Sequence, residues 1–558
     1  MVQAASLQDI CQASYVQSRL PTSPFISGIT IDESSVSASV TLNYTTDFYW
    51  YPDTTIDYCN VTLAYSHDGI AGDKVHVSYW LPAPSAFENR YLSTGGGGFA
   101  INSGTDYIPN GIINGAVSGI TDGGFGNFDT EFDAAFLLAN GTINWEATYM
   151  FGYQAHHELA VLGKELARSL YNVSSDERIY SYYQGCSEGG REGWSQVQRF
   201  ADQFDGAVIG APAFRYGQQQ VNHLTSNVIQ QTLGYFPPTC ELEKIMNLTI
   251  EACDGMDGRV DGVVSRSDLC LLNFDVNSTI GTAYSCDANT AVDFGSISHG
   301  AQNGTVTAEG AAVAASIWAG LYDSEGDLVY ISYQPGTIFY DGETEYDEAT
   351  GTWLPVVSSL GGPWITKFLQ LRDTEVLSLD ELSNYTVDTL KEFMIEGMNR
   401  YADSLQTTYP DLSPFQAAGG KVLHLHGEQD FSIPTGSSVH YYESVRSVMY
   451  GNLGYNESVA ALDDFYRLFL VPGAAHCSAN DFQPNSGWPE TTLPTMIEWV
   501  ESGIAPATLT GSGNIDQICR WPLRPLWSNN GTSFDCVYDQ ESLDTWDYDF
   551  NAYKLPLY

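Results

Sequence analysis

Basic residues are scarce in this chain: 22 Lys and Arg stand against 68 Asp and Glu, a formal net charge of −46 over 558 residues. A polyanion of this strength repels phosphate backbones, so nucleic acid is not expected as a partner. Basic clusters are lacking as well, so no membrane partner is expected. No Lys-Lys, Lys-Arg, Arg-Lys or Arg-Arg pair occurs, which argues against dibasic internal processing. Long apolar runs are missing, and none approaches the ~18 residues that span a bilayer. The stretch Met1–Ile10 lacks the charged and apolar regions of a signal peptide and reads as the start of a mature chain, its signal peptide removed. Internal repeats and low-complexity segments are absent. The acidic excess reads first as solubility in an acidic medium.

What the chain does contain is a large core. Hydrophobic residues make up 43% and aromatics 13%, which excludes a disordered protein. The length exceeds that of one ordinary domain. The cysteines number ten, an even count. Asn-x-Ser/Thr sequons begin at Asn43, Asn60, Asn140, Asn172, Asn247, Asn277, Asn303, Asn384, Asn456 and Asn530. Glycan acceptors with paired cysteines point to a secreted, extracellular eukaryotic protein.

Hydrophobic periodicity supplies the order of elements. Val61, Leu63 and Tyr65, then Val75, Val77 and Tyr79, alternate as strands do. A run of four glycines, Gly95–Gly98, follows. Gln154–Tyr171 reads as a helix with Leu159, Leu162, Leu166 and Leu170 on one face. Arg178–Gln184 reads as a strand, then come Gly185-Cys186-Ser187-Glu188-Gly189, a helix through Trp194, Val197 and Phe204, and a strand over Ala207–Pro212. After Pro212 the texture changes: four cysteines, an acidic glycine-rich turn and a helix over Ala308–Leu321 appear. Strands resume at Lys421–Gly427 and Leu468–Val471, and Thr492–Ser502 reads as a closing helix. This predicts an α/β fold: an α/β-hydrolase catalytic domain, 1–212 plus 416–558, interrupted by an inserted lid domain, 213–415.

Gly-x-Ser-x-Gly between a strand and a helix is the form of a nucleophile elbow, a turn so tight that the residues flanking the serine must be small. Ser187 is therefore the expected nucleophile. His476, in Pro472-Gly473-Ala474-Ala475-His476-Cys477, follows a strand late in the chain and is the expected base. Asp430 lies in the loop after Lys421–Gly427, giving the order Ser, Asp, His; there it would fix the imidazole tautomer and stabilise the imidazolium. Glu428 competes for that role, with Asp463, Asp464 and Asp481 less well placed. One oxyanion donor is expected from the N–H of Glu188 and the other from the glycine run, Gly97 or Gly96. Cysteines adjoin both the nucleophile and the base, so a Cys186–Cys477 bridge would hold the two together. The others are expected as Cys11–Cys59, Cys253–Cys270, Cys240–Cys286 and Cys519–Cys536, although spacing alone leaves all pairings open.

In the segment after the texture change, Asp254, Asp257 and Asp261 crowd a turn bent by glycines. Hard oxygen ligands at short intervals suit Ca²⁺, with backbone carbonyls of Arg259 and Val263 completing the shell; the competing reading is a solvated acidic turn. Such an ion would be structural.

Taken together, Gly-Cys-Ser-x-Gly-Gly, His-Gly-x-x-Asp and His-Cys resemble the fungal tannase and feruloyl esterase family over nearly the whole chain. The resemblance implies a triad at Ser187, Asp430 and His476, a bridge at Cys186 and Cys477, and calcium ligands at Asp254, Asp257, Arg259, Asp261 and Val263. It implies a serine carboxylic-ester hydrolase with no organic cofactor, a monomer or homodimer acting on an aromatic ester. Galloyl esters and depsides of hydrolysable tannins are the first expectation, since the long insertion, the dense sequons and Lys421–Pro434 look more like a fungal tannase. The alternative is hydroxycinnamoyl esters of plant cell walls. An inactive hydrolase-fold binding module and a peptidase are the readings from other classes.

Overall fold

In strands apolar at nearly every position, neighbouring side chains divide between two cores. Val208 joins one apolar cluster, while Ala207 and Ile209 join another; Leu423 and Val422 divide the same way. Successive strand residues point to opposite faces, so such strands must be covered on both sides. The computed structural model describes residues 6–21, 25–290, 297–512 and 517–558. Met1–Ala5, part of the N-terminal stretch discussed above, lie outside the described residues.

Nine of the strands form one sheet, and the other strands among the described residues pair off in two-stranded ribbons. In chain order they are β1 (Ile29–Phe48), β2 (Tyr51–His67), β3 (Val75–Leu81), β4 (Arg90–Thr94), β5 (Ala116–Thr121), β6 (Tyr180–Cys186), β7 (Gly206–Gly210), β8 (Lys421–Gly427) and β9 (Tyr466–Val471). The order across the sheet is β1-β2-β3-β5-β4-β6-β7-β8-β9. Pairing is antiparallel from β1 to β5 and parallel from β5 through β9. The glycine run follows β4, Ser187 follows β6, Asp430 follows β8 and His476 follows β9. All four loops therefore leave the carboxyl ends of parallel strands, where open α/β sheets bind ligands.

The predicted leucine helix is α1 (Ala155–Leu170), entered through a wider helical turn at Met150–Gln154. All four leucines are buried, each contributing roughly 1.5–3 kcal/mol. The helix after the elbow is α2 (Glu188–Arg199). Between β7 and β8 the chain leaves the sheet. Helices α3 (Thr239–Cys253) and α4 (Ala308–Ala319) gather a separate apolar cluster that includes Leu242, Met246, Val313 and Ile317. Helix α4 stops two residues before the predicted end, because Gly320 takes φ 98° and the chain then enters a short strand, Leu321–Tyr322. Later in the insertion, Trp364 and Phe368 return to the main core, where Phe368 stacks on Phe136 and on Phe99. This part of the insertion is thus packed against the glycine run. Helix α5 (Thr492–Ser502) closes the other face beside β7 and β8.

All five disulfides join the expected partners: Cys11–Cys59, Cys186–Cys477, Cys240–Cys286, Cys253–Cys270 and Cys519–Cys536.

Candidate active site

Ser187 sits at φ 63°, ψ −122°, immediately before the first turn of α2. A non-glycine residue there is strained, which marks a turn over-determined by its surroundings. The glycines around it are required by close approach. A Cβ on Gly185 would lie 2.7 Å from Gly189 O, and one on Gly189 would lie 2.7 Å from Gly96 O. Two bonds pin the turn: Ser187 N–H donates to Gly210 O at 3.0 Å, and Ala213 N–H donates to Ser187 O at 3.2 Å. A buried ion pair, Arg191 Nε to Glu188 Oε1 at 2.6 Å, braces the first turn of α2.

His476 and Asp430 meet across their loops. His476 Nδ1 lies 2.7 Å from Asp430 Oδ2, while Asp430 Oδ1 accepts from Ser432 N–H and Ile433 N–H, both at 2.8 Å. Burial alone would raise this carboxyl, but His476 and His426 hold it well below the usual carboxylate range. Glu428 is turned elsewhere. Its Oε1 accepts from Ser267 Oγ at 2.5 Å and pairs with Arg524, so it ties the insertion to the C-terminal segment. Asp463 pairs with Arg520 at 2.9 Å.

Cys186–Cys477 links the loops of Ser187 and His476, with Cα atoms 6.1 Å apart. A second tie comes from Trp50, whose Nε1–H donates to Cys477 O at 3.0 Å. Ser187, His476 and both cysteines line one cleft of about 650 Å³, which also takes in Gly96, Gly97 and Gly98.

One group at this site escaped the sequence reading. His426 Nε2 lies 3.2 Å from Asp430 Oδ2 and 3.0 Å from Ile433 O. Its Nδ1 is 2.6 Å from Ser438 Oγ, which is 2.8 Å from His424 Nε2, while His424 Nδ1 is 2.8 Å from Tyr466 Oη. Burial pushes His424 well below its ordinary value, so that ring is neutral. His426 Nε2 faces two acceptors, Ile433 O and Asp430 Oδ2, so that nitrogen carries a proton, and the hydrogen-bond chain behind it runs through Ser438 and His424 to Tyr466. The chain delivers a second imidazole N–H to the carboxylate. Its trace in the sequence is the pair His424 and His426, two residues apart and on one face of a buried strand.

The glycine run departs from expectation. Gly96 N–H donates to Glu192 Oε2 at 2.9 Å, and Gly97 N–H donates to Ala100 O at 3.1 Å. Both expected oxyanion amides are thus spent inside the protein, because Gly97–Ala100 closes as a tight turn and α2 aims Glu192 at Gly96. Glu188 N–H, at the start of α2, has no carbonyl one turn back to bond. What the run does provide is a close fit. Gly189 N–H donates to Gly96 O at 3.0 Å, and a Cβ on Gly96 would lie 1.9 Å from Ala100 O. Gly96→Ala is therefore expected to lower kcat/KM roughly 100-fold by shifting the loop against the elbow; steady-state kinetics on an aryl ester, with the thermal midpoint as a control, check this.

The acidic turn is woven around its own backbone. Asp254 Oδ1 accepts from Asp261 N–H at 2.8 Å, Asp257 Oδ1 from Arg259 N–H at 2.9 Å, and Asp261 Oδ1 from Val263 N–H at 3.2 Å. Asp261 Oδ2 lies 3.1 Å from Arg259 Nε. Asp257 is buried, and among the described residues its Oδ2 has no hydrogen-bond partner. An orphaned carboxylate oxygen beside two more carboxylates fits a cation such as Ca²⁺.

Nine of the sequon asparagines are exposed. Asn60 is the exception: it lies half-buried within β2, and its Oδ1 accepts from Ser78 Oγ at 2.8 Å.

Fold and site together define a carboxylic-ester hydrolase of the α/β-hydrolase class, with a serine and a histidine in one cleft and a buried aspartate on the histidine. The family model described as "Tannase and feruloyl esterase" matches residues 59–543. The chain is 49% identical to a tannase of Aspergillus oryzae, over 100% of this chain and 97% of that protein. It matches the structure of a tannin acyl hydrolase from Aspergillus niger at TM-score 0.95 and 54% identity, with 99% of each chain covered. It also matches feruloyl esterase B from Aspergillus oryzae at TM-score 0.71 and 25% identity, covering 95% of this chain and 100% of that one. The chain belongs to the tannase and feruloyl esterase family.

Proposed function

We propose that this protein is a secreted tannin acyl hydrolase that cleaves galloyl esters and depsides to gallic acid. The observation that carries the substrate is the contrast between relatives: 54% identity to a tannin acyl hydrolase against 25% to a feruloyl esterase. Ser187 Oγ attacks the ester carbonyl while His476 takes its proton, and Asp430 stabilises the imidazolium. The oxyanion forms against Glu188 N–H. Collapse expels the alcohol or phenol, protonated by His476, and leaves a galloyl-serine ester. Water, deprotonated by His476, then attacks that ester, and gallic acid departs as Ser187 regains its proton. Comparing kcat/KM on methyl gallate and methyl ferulate tests the substrate. A strong gallate preference is expected, and a strong ferulate preference would overturn the reading.

The insertion, 213–415, serves as the lid domain on a catalytic domain formed by 1–212 and 416–558. Its acidic turn holds a structural Ca²⁺ through Asp254, Asp257 and Asp261 with carbonyls of Arg259 and Val263; a resident ion would pair the orphaned Asp257 oxygen. Chelation with EGTA is expected to lower the thermal midpoint by several degrees, and added Ca²⁺ to restore it. Secretion rests on the five disulfides and the exposed sequons, and a glycosidase mass shift on the secreted protein tests it. The chain works as a monomer or homodimer, which light scattering distinguishes.

A further inference from the structure

One buried carboxylate behind the nucleophile takes no part in the proton transfers. Glu192 is fully buried and lies one helical turn after Glu188 on α2. Its Oε2 accepts from Gly96 N–H at 2.9 Å and from Tyr183 O–H at 3.3 Å. His156 Nε2 stands 3.0 Å from the same oxygen, without the alignment of a hydrogen bond. Gly96 follows β4, Tyr183 lies in β6 and His156 lies in α1. One oxygen thus gathers the glycine run, a central strand and a covering helix onto the helix that begins at the nucleophile.

The grip on Gly96 comes from both sides. Its N–H goes to Glu192, while its carbonyl accepts from Gly189 N–H at 3.0 Å. Both partners belong to α2, one in the first turn and one in the second. Tyr183 O–H also donates to Gly189 O at 2.7 Å, so β6 is tied to the same turn. The space around the carboxylate is filled, since a Cβ on Gly95 would lie 2.7 Å from Glu192 Oε2. The next residue, Gly97, lines the cleft with Ser187. Fixing Gly96 therefore fixes the wall that faces the serine. It also fixes the first turn of α2, which carries Glu188 N–H.

The carboxylate is not optimised for stability. Its Oε1 has no hydrogen-bond partner among the described residues, and an unpaired buried acceptor destabilises a fold. What the side chain does achieve is position: a single acceptor reaches the loop opposite the nucleophile from a rigid helix. Resting on the acyl-enzyme mechanism above, we propose that Glu192 is a positioning residue. Its oxygen on Gly96 N–H holds the glycine run at a set distance from Ser187 and Glu188 N–H, so that the transition state forms in a prearranged cradle.

The test measures kcat and KM on methyl gallate and p-nitrophenyl acetate in the full-length wild type, Glu192→Leu, Glu192→Asp and Glu192→Gln. Leucine removes the acceptor, aspartate withdraws it by one methylene and keeps the charge, and glutamine keeps an acceptor oxygen without the charge. Leucine and aspartate are expected to lower kcat about 10- to 100-fold on both esters, with KM changed less than about threefold. Glutamine is expected to bring kcat back to within about threefold of wild type. Wild-type kcat in the aspartate variant, a change confined to KM, or a glutamine variant as impaired as leucine would each overturn the proposal. If Glu192→Leu fails to fold, Glu192→Asp against Glu192→Gln decides the matter. Turnover that survives Ser187→Ala would sink the acyl-enzyme mechanism itself. Turnover that needs Ser187 but not the reach of residue 192 would sink only this role.

Discussion

Replacing Ser187 with Ala is expected to lower kcat on methyl gallate by about 10⁶-fold while the thermal midpoint moves by no more than a few degrees. The size of the loss follows from geometry. The Ser187 backbone at φ 63° sets the side chain out of the tight turn between β6 and α2, and Ser187 lines the cleft with His476. Alanine removes the attacking oxygen and leaves the cradle of backbone bonds to Gly210 and Ala213 untouched. It meets the same backbone strain as serine, so stability has little reason to change. Residual turnover reports what the oxyanion site and binding achieve without a nucleophile. Loss of activity with loss of fold would leave the serine's chemical role unsupported; full activity would exclude it.

The buried carboxylate beside His476 sets a pH limit on stability. Asp430 is held well below the usual range by His476 and His426 despite its burial. A carboxyl depressed in the folded state contributes stability above its unfolded value and loses it only as pH falls through the folded one. The Asp430–His476 contact therefore persists above about pH 4. The thermal midpoint is therefore expected to hold from neutral pH down to about pH 4 and to fall below it, which melts recorded against pH check.

The second large effect is expected from removing the bridge. Cys186→Ala with Cys477→Ala opens a loop of 291 residues between bridged positions. In the chain-entropy account a loop of that length corresponds to roughly 5–6 kcal/mol as an upper estimate. A loss of several kcal/mol in denaturant midpoints is expected, comparable with the whole margin of many domains. The activity loss should be larger than instability alone explains, because Ser187 and His476 sit next to the two sulfurs. Without the bridge, the described ties of the His476 loop include Trp50 to Cys477 O and His476 to Asp430. A drift of about 1 Å at the reacting atoms costs on the order of 100-fold. The double variant is the right comparison, since a single replacement leaves a free thiol. Measuring kcat well below the new unfolding midpoint separates positioning from folding, and unchanged kcat there would mean that packing alone sets the distance.

Much of this protein was legible before any coordinates. The elbow reads from the sequence because its constraint is local: Gly185 and Gly189 are small since backbone passes within 3 Å of where a Cβ would lie. Strand β7 reads from the apolar run Ala207–Ile209 and β8 from Val422, Leu423 and Leu425, because strands covered on both faces bury apolar residues on both sides. Helix α1 reads from its leucines, and the acidic turn from carboxylates spaced by glycines. Sequence pattern does not reach partners that are chosen through space. The amides of Gly96 and Gly97 looked available, and a carboxylate from α2 and a two-residue turn claim them.

The sequence by itself determined the chemistry and the covalent frame: a serine in a tight turn, a late histidine, an acid between them, and a cysteine beside each end. Neighbours in the chain stay neighbours in any fold, so those inferences needed no packing. Only the tertiary structure decided between Asp430 and Glu428, two carboxylates in one loop, by directing the first at His476 and the second at Arg524. It alone set His426 behind the carboxylate, and it alone brought Lys367 to Asp133 across 234 residues of chain. Contacts of that span depend on how whole layers pack, and no local pattern encodes them.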